Sequence, residues 1–170
     1  MNIVIANRQR TRKINARLLK KIAEVLLVDL KIGEAELGIN LVAAREMTLI
    51  NETFLRHEGS TDVVTFDYAD DGRAGSPLPA DGARGVTRPN LHGEIFICMD
   101  EAMTQSQKFK TTWQSEIVRY IVHGILHLLG HDDRRVTARR KMKREENRRL
   151  AGLSRKFSLA QIGGASKLRV

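Results

Sequence analysis

The stretch HGILHLLGHDD, residues 123–133, gathers three histidines, two aspartates and two glycines in eleven positions. On a helix, His123 and His127 stand at i and i+4, so their imidazoles share one face and can converge on a single ion. Gly130 suits the left-handed backbone that ends a helix and reverses the chain, which would bring residues 131–133 back towards the imidazoles. The third ligand should come from there, from His131, Asp132 or Asp133. Three protein ligands leave an open position for water, which a divalent ion acidifies towards neutral pH. Buried histidines are usually satisfied core residues, but a pair at this spacing, on an apolar helix and followed by Gly and three polar residues, is hard to explain by packing. His57 and His92 read as solvated or loop residues.

Read as spacing, H-x-x-x-H-x-x-G-x-x-D is the ligand geometry of the metzincin zinc proteases, with Asp133 at the third position. A protease helix carries H-E-x-x-H, whose Glu takes the proton from water. This chain has Gly124 at that place, which argues against ordinary peptide hydrolysis.

The elements that must position these groups can be read from pattern. NIVIA (2–6) reads as a first strand, and from Arg12 the next 21 residues take a helical rhythm that Gly33 ends. AELGINLVAAR (35–45) reads as a strand, EMTLINETFLR (46–56) as a helix, and TDVVTFDY (61–68) as a third strand. Residues 69–90 contain all the prolines and read as a mobile loop joining neighbouring strands. HGEIFICM (92–99) resumes the sheet, and Asp100 should cap the short helix after it. Thr111 or Thr112 can cap the long helix whose stripe is Ile117, Ile121, Ile125 and Leu128, with the histidines near its end. The last 15 residues show no firm period. The fold expected is α+β: a small mixed sheet of about four strands packed with helices, the two-histidine helix in its core.

A chain of 170 residues with 42% hydrophobic composition supports one sizeable core and is short for two domains. No apolar run approaches the ~20 residues of a bilayer span. The N-terminus lacks the order of a secretory signal, so an unprocessed, soluble protein is expected. Cys98 is the only cysteine, which fits a buried small hydrophobe in a reducing cytoplasm. Between Arg134 and Lys156, eleven Lys and Arg face only Glu145 and Glu146, and this segment carries the whole net charge of +9. Two readings stand: an anionic partner, most simply nucleic acid, or a solvated basic helix. With aromatics at 5%, no aromatic-rich platform for stacking bases is evident.

HGILHLLGHDD resembles the H-G-x-L-H-L-x-G-x-D-H signature of the YbeY family, bacterial metal-dependent endoribonucleases and ribosomal RNA maturation factors. RHEGSTDVVTFDY resembles the family's R-x-x-x-x-T-D-V-L-S-F segment and HGEIFIC its G-D-I-x-I-S strand, in the family's order. The resemblance covers residues 1–150 as one metallohydrolase domain and leaves 151–170 as a basic, poorly ordered tail. It implies one zinc ion per chain, held by His123, His127 and the residue where the family has a third histidine. That residue is Asp133, or His131 substitutes for it; the offset from Gly130 favours Asp133. The exchange lowers the positive charge of the site and makes bound water less acidic.

The resemblance also marks catalytic candidates. Arg56 would line the cleft and hold a phosphate, with a surface arginine as the simpler reading. Asp62 matches a functional position, with a turn cap as its simpler reading. Asp132 is carried as a further catalytic candidate, or as a partner fixing an imidazole tautomer. The function implied is a single-strand-specific endoribonuclease in ribosomal RNA maturation, at the 16S rRNA 3′ end, and in ribosome quality control. Its partners would be rRNA and small-subunit ribosomal proteins or an assembly GTPase, in the cytoplasm and away from membranes. The rivals are a zinc protease and a non-catalytic ribosome-associated RNA-binding factor.

Overall fold

The computed structural model describes residues 1–68 and 89–164. The loop expected at 69–90 therefore lies outside the described residues except for its last two. Strands β1 (Asn2–Asn7), β2 (Ala35–Val42), β3 (Val63–Asp67) and β4 (Leu91–Cys98) form one sheet in the order β1-β2-β4-β3. β1 and β4 flank β2 in parallel, and β3 pairs antiparallel with β4, so the sheet is mixed, as the α+β reading expects.

Alternation along the central strands divides the apolar residues between two faces. Leu37, Ile39 and Leu41 of β2 and Leu91, Ile95 and Ile97 of β4 join the main core. Val42 and Cys98 point the other way, into a smaller cluster with Met47 and Val64. Cys98 is thus a buried small hydrophobe, as expected.

Helix α1 (Ala16–Asp29) supplies Leu19, Ile22 and Leu26 to the main core. It starts later than the rhythm from Arg12 suggests, because Gln9 fastens that segment as a turn. Gln9 accepts from the Arg12 N–H at 2.9 Å and donates to the Arg12 carbonyl at 2.7 Å. Asn15 then caps the helix by accepting from the Leu18 N–H. Helix α2 (Ala44–Ile50) continues as a π-helical turn, Asn51–Leu55, ended by Arg56 in the left-handed conformation (φ 56). Asp100 departs from its expected role. It lies in the first turn of α3 (Met99–Phe109), and its carboxylate accepts from the Ala44 N–H at 2.6 Å, capping α2.

Helix α4 (Trp113–Leu128) carries the histidines. Thr112 caps it by accepting from the Ser115 N–H, and Ile117, Ile121 and Ile125 are fully buried. Helix α5 (Val136–Lys156) and a short 3-10 turn, Leu159–Gly163, follow. The poorly ordered tail expected from residue 151 is corrected for 151–164. Leu153 and Ile162 are buried in the main core, and the Ile162 carbonyl accepts from the Asn15 N–H at 2.8 Å. Among the described residues no helix is long and apolar enough to cross a membrane.

Gly124 explains how close α4 lies to the sheet. A Cβ there would sit 2.8 Å from Cγ2 and 2.9 Å from Cδ1 of Ile95. The position faces β4, with no room for a side chain, so a protease-type Glu is excluded sterically as well as by identity. Gly124→Ala should lower stability by ~1–3 kcal/mol through overpacking, against the better helix propensity of Ala. Urea denaturation checks this, and an unchanged or stabilised variant would refute the close packing.

Candidate metal centre

The end of α4 sets the geometry. Gly130 adopts φ 84, its N–H donates to the His127 carbonyl at 2.8 Å, and the His131 N–H reaches back to the Leu126 carbonyl at 3.0 Å. This Schellman arrangement satisfies the last carbonyls and folds residues 131–133 back over the helix end. Asp133 thereby meets the imidazoles: its Oδ2 lies 3.5 Å from His127 Nε2, and the His123 and His127 ring centroids are 4.5 Å apart. One donor atom each from His123, His127 and Asp133 falls within 4.8 Å of the others.

Tetrahedral zinc with bonds of ~2.0–2.2 Å places its ligand atoms ~3.4 Å apart. The His127–Asp133 separation already matches, and the remaining edges need only side-chain adjustment. Two imidazoles and a carboxylate therefore fit one divalent ion. His131 and Asp132 stand outside this group. Asp132 is exposed and accepts from the Arg134 N–H at 2.9 Å, the work of a turn residue. Burial, then the charges of Lys141 and His127, lower the His131 pKa, against an opposing pull from Glu145.

Glu146 of α5 completes the arrangement, and sequence reading counted it only as a charge. Its Oε1 lies 2.6 Å from His123 Nδ1, and the residue is 5% exposed. With the proton on Nδ1, His123 donates to Glu146 and keeps the Nε2 lone pair for an ion, as in carboxylate–histidine–zinc triads. Burial works to raise the Glu146 pKa. The His123 hydrogen bond and the charges of His123, Lys143 and Arg119 outweigh it and hold the carboxyl below its ordinary value. The available signal was an acidic pair, Glu145 and Glu146, inside an otherwise basic helix.

A cleft of about 770 Å³ opens beside this group, lined by His123, Asp133, Glu146 and Asp62. Arg119 of α4 and Arg139, Arg140 and Lys143 of α5 supply its positive charge. Arg139 also donates to the Asp133 carbonyl at 3.1 Å, tying the ligand loop to α5. Other members of the basic run are structural: Arg148 and Arg149 bind Glu145, while Arg149 and Lys156 reach Asp29 at the end of α1. Asp62 is brought to the cleft, with Oδ1 accepting from the Val63 N–H and the Thr61 hydroxyl. Arg56, expected in the cleft, is not among its lining residues; it is exposed where the π-helical turn ends. His57 and His92 are exposed, and His92 lies 3.5 Å from Glu36.

Glu146→Gln should weaken zinc binding about 10- to 100-fold in a competition titration. The same variant tests the linkage sign. A carboxyl held below its ordinary pKa of 4.5 stabilises the fold above that value, and this stability is lost as pH falls through the lowered pKa. Metal-free Glu146→Gln should therefore show a flatter acid limb of Tm against pH; an equally steep limb would contradict it.

The family description Endoribonuclease YbeY matches residues 4–154. A relative with that name from Myxococcus xanthus is 37% identical over 71% of this chain, a stretch that spans only 37% of its own length. The match to one from Salinibacter ruber spans 59% of that protein. Relatives from Syntrophotalea carbinolica and Chlorobium phaeovibrioides are 32% and 30% identical, over 84% and 95% of this chain and 90% and 100% of theirs. The solution structure of TM1509 from Thermotoga maritima shares the fold, with a TM-score of 0.60 at 21% identity over 99% of both chains. With the family match running across nearly the whole chain, this protein belongs to the YbeY family.

Proposed function

We propose that the protein is a zinc-dependent, single-strand-specific endoribonuclease acting in ribosomal RNA maturation and ribosome quality control. The observation that carries the reading is one cleft in which His123 and Asp133 of the candidate ligand group stand beside Arg119, Arg139, Arg140 and Lys143. Relatives named Endoribonuclease YbeY support the choice of RNA as the anionic partner. A divalent ion in this donor set supplies Lewis acidity, acidifying water and polarising a phosphodiester.

The chain's own groups do the rest. Glu146 fixes the His123 ring and tautomer, Arg139 steadies the Asp133 loop, and Arg140 and Lys143 take the RNA backbone. Asp62, with Oδ1 already committed to Val63 and Thr61, has Oδ2 left to accept a proton or orient a hydroxyl of the substrate. Arg56 and Asp132 rest on the family resemblance, and their exposed positions suit contacts with a longer RNA outside the cleft. Small-subunit ribosomal proteins or an assembly GTPase as partners, and a cytoplasmic location, follow from the same resemblance.

The direct test is cleavage of a labelled single-stranded RNA by untreated, chelator-stripped and zinc-restored protein, with His127→Ala alongside. Cleavage should vanish with chelator and in the variant, and return with zinc in the wild type. Intact RNA throughout, from folded protein that still binds it, would favour a non-catalytic RNA-binding factor. Replacing Arg140 and Lys143 by Gln should reduce the slope of log affinity against log salt by about 1.4, or about 0.7 per phosphate contact on a single strand. An unchanged slope would remove both residues from the RNA path.

A further inference from the structure

The lining of the cleft is not all cationic. Besides the basic residues of α5, its wall takes in the end of α3 and the first turns of α4, with Gln105, Phe109, Thr111 and Tyr120 beside Glu116 and Arg119. Phe109 is 61% exposed. The backbone explains why it ends there: Lys110 takes the left-handed conformation (φ 53), and the Thr111 N–H bonds back to the Ser106 carbonyl at 2.9 Å. Helix α3 stops, and the ring is left on the cleft wall with the Lys108 ammonium 5.4 Å from its centroid.

Tyr120 gives a second, independent observation. It is 5% exposed, and among the described residues its hydroxyl is the buried side-chain polar atom without a hydrogen-bond partner. Such a group costs stability unless something supplies an acceptor. Burial, then the carboxylates of Asp62 and Glu116, raise the Tyr120 pKa, so the O–H keeps its proton and is a donor at any ordinary pH.

We propose that this wall is a nucleobase subsite, in which Phe109 stacks on one unpaired base while the Tyr120 hydroxyl donates to an acceptor on the same base. The inference rests on the endoribonuclease reading and deepens it. A base splayed from a single strand offers a free face to Phe109, whereas a base paired in a duplex does not, so the wall selects single strands without reading sequence. The phosphates of that nucleotide are then left for Arg140 and Lys143, which line the same cleft as His123 and Asp133. One aromatic face suffices, which is why a low aromatic content did not reveal it.

The test is binding of a labelled single-stranded oligoribonucleotide to the full chain in chelator, so that affinity is read without cleavage. The comparison set is Phe109→Ala, Phe109→Trp and Tyr120→Phe, each against the same oligonucleotide carrying abasic positions and against a duplex. Phe109→Ala should weaken single-strand binding about 5- to 150-fold, the usual range for one lost stack, and Phe109→Trp should retain it. Tyr120→Phe should weaken it while leaving Tm unchanged or raised, because the hydroxyl has no partner among the described residues to lose. Neither substitution should matter for abasic or duplex RNA. Equal affinity of wild type and Phe109→Ala, or an equal loss on abasic RNA, overturns the subsite while cleavage by the wild type leaves the nuclease standing. A wild type that binds no RNA in chelator and cleaves none with zinc restored overturns both.

Discussion

A carboxylate as buried as Glu146 must find partners, because desolvating an uncompensated charge costs several kcal/mol. Glu146 sits on the face of α5 that also buries Met142, Leu150 and Leu153. Its partners are His123 at 2.6 Å, with Arg119 and Lys143 each at 3.6 Å. This contact fixes α5 against α4 at the height of the first histidine. It therefore does two things at once: it fixes an imidazole of the candidate ligand group, and it places the most basic helix of the chain along the edge of the same cleft.

The charge of α5 divides according to that docking. Residues turned towards α1 are spent on structure, where Arg149 and Lys156 hold the carbonyl and carboxylate of Asp29. These contacts place cations at the C-terminus of α1, the favourable end of its dipole. Residues turned towards α4 line the cleft. The basic run is therefore not of one kind: Arg149 and Lys156 tie α5 to α1, while Arg139, Arg140 and Lys143 line the cleft, and the division follows the angle each takes around the helix.

Much of this was legible in the sequence because it is local. The i, i+4 histidines, the left-handed Gly130, the Thr112 cap and the alternation in β2 and β4 all depend on residues a few positions apart. What escaped depends on pairs that only the fold brings together. Asp100 caps a helix 56 residues away, and Glu146 meets a histidine 23 residues away. The C-terminal end of the core was hidden differently: Leu153 and Ile162 lie in a polar, weakly periodic stretch, and only their burial against α1 and α4 shows that the core extends past residue 151. Gly124 was noticed for the Glu it replaces, whereas its physical reason is Ile95 on the neighbouring strand.

The proposed centre is one ion held by His123, His127 and Asp133 with Glu146 behind it. A crystal structure of the zinc-loaded protein tests that most directly. It should show a single zinc bound by Nε2 of His123, by His127 and by a carboxylate oxygen of Asp133, at ~2.0–2.2 Å, with His123 Nδ1 still on Glu146. No zinc at this position, or zinc bound by His131 with Asp133 turned away, would contradict it.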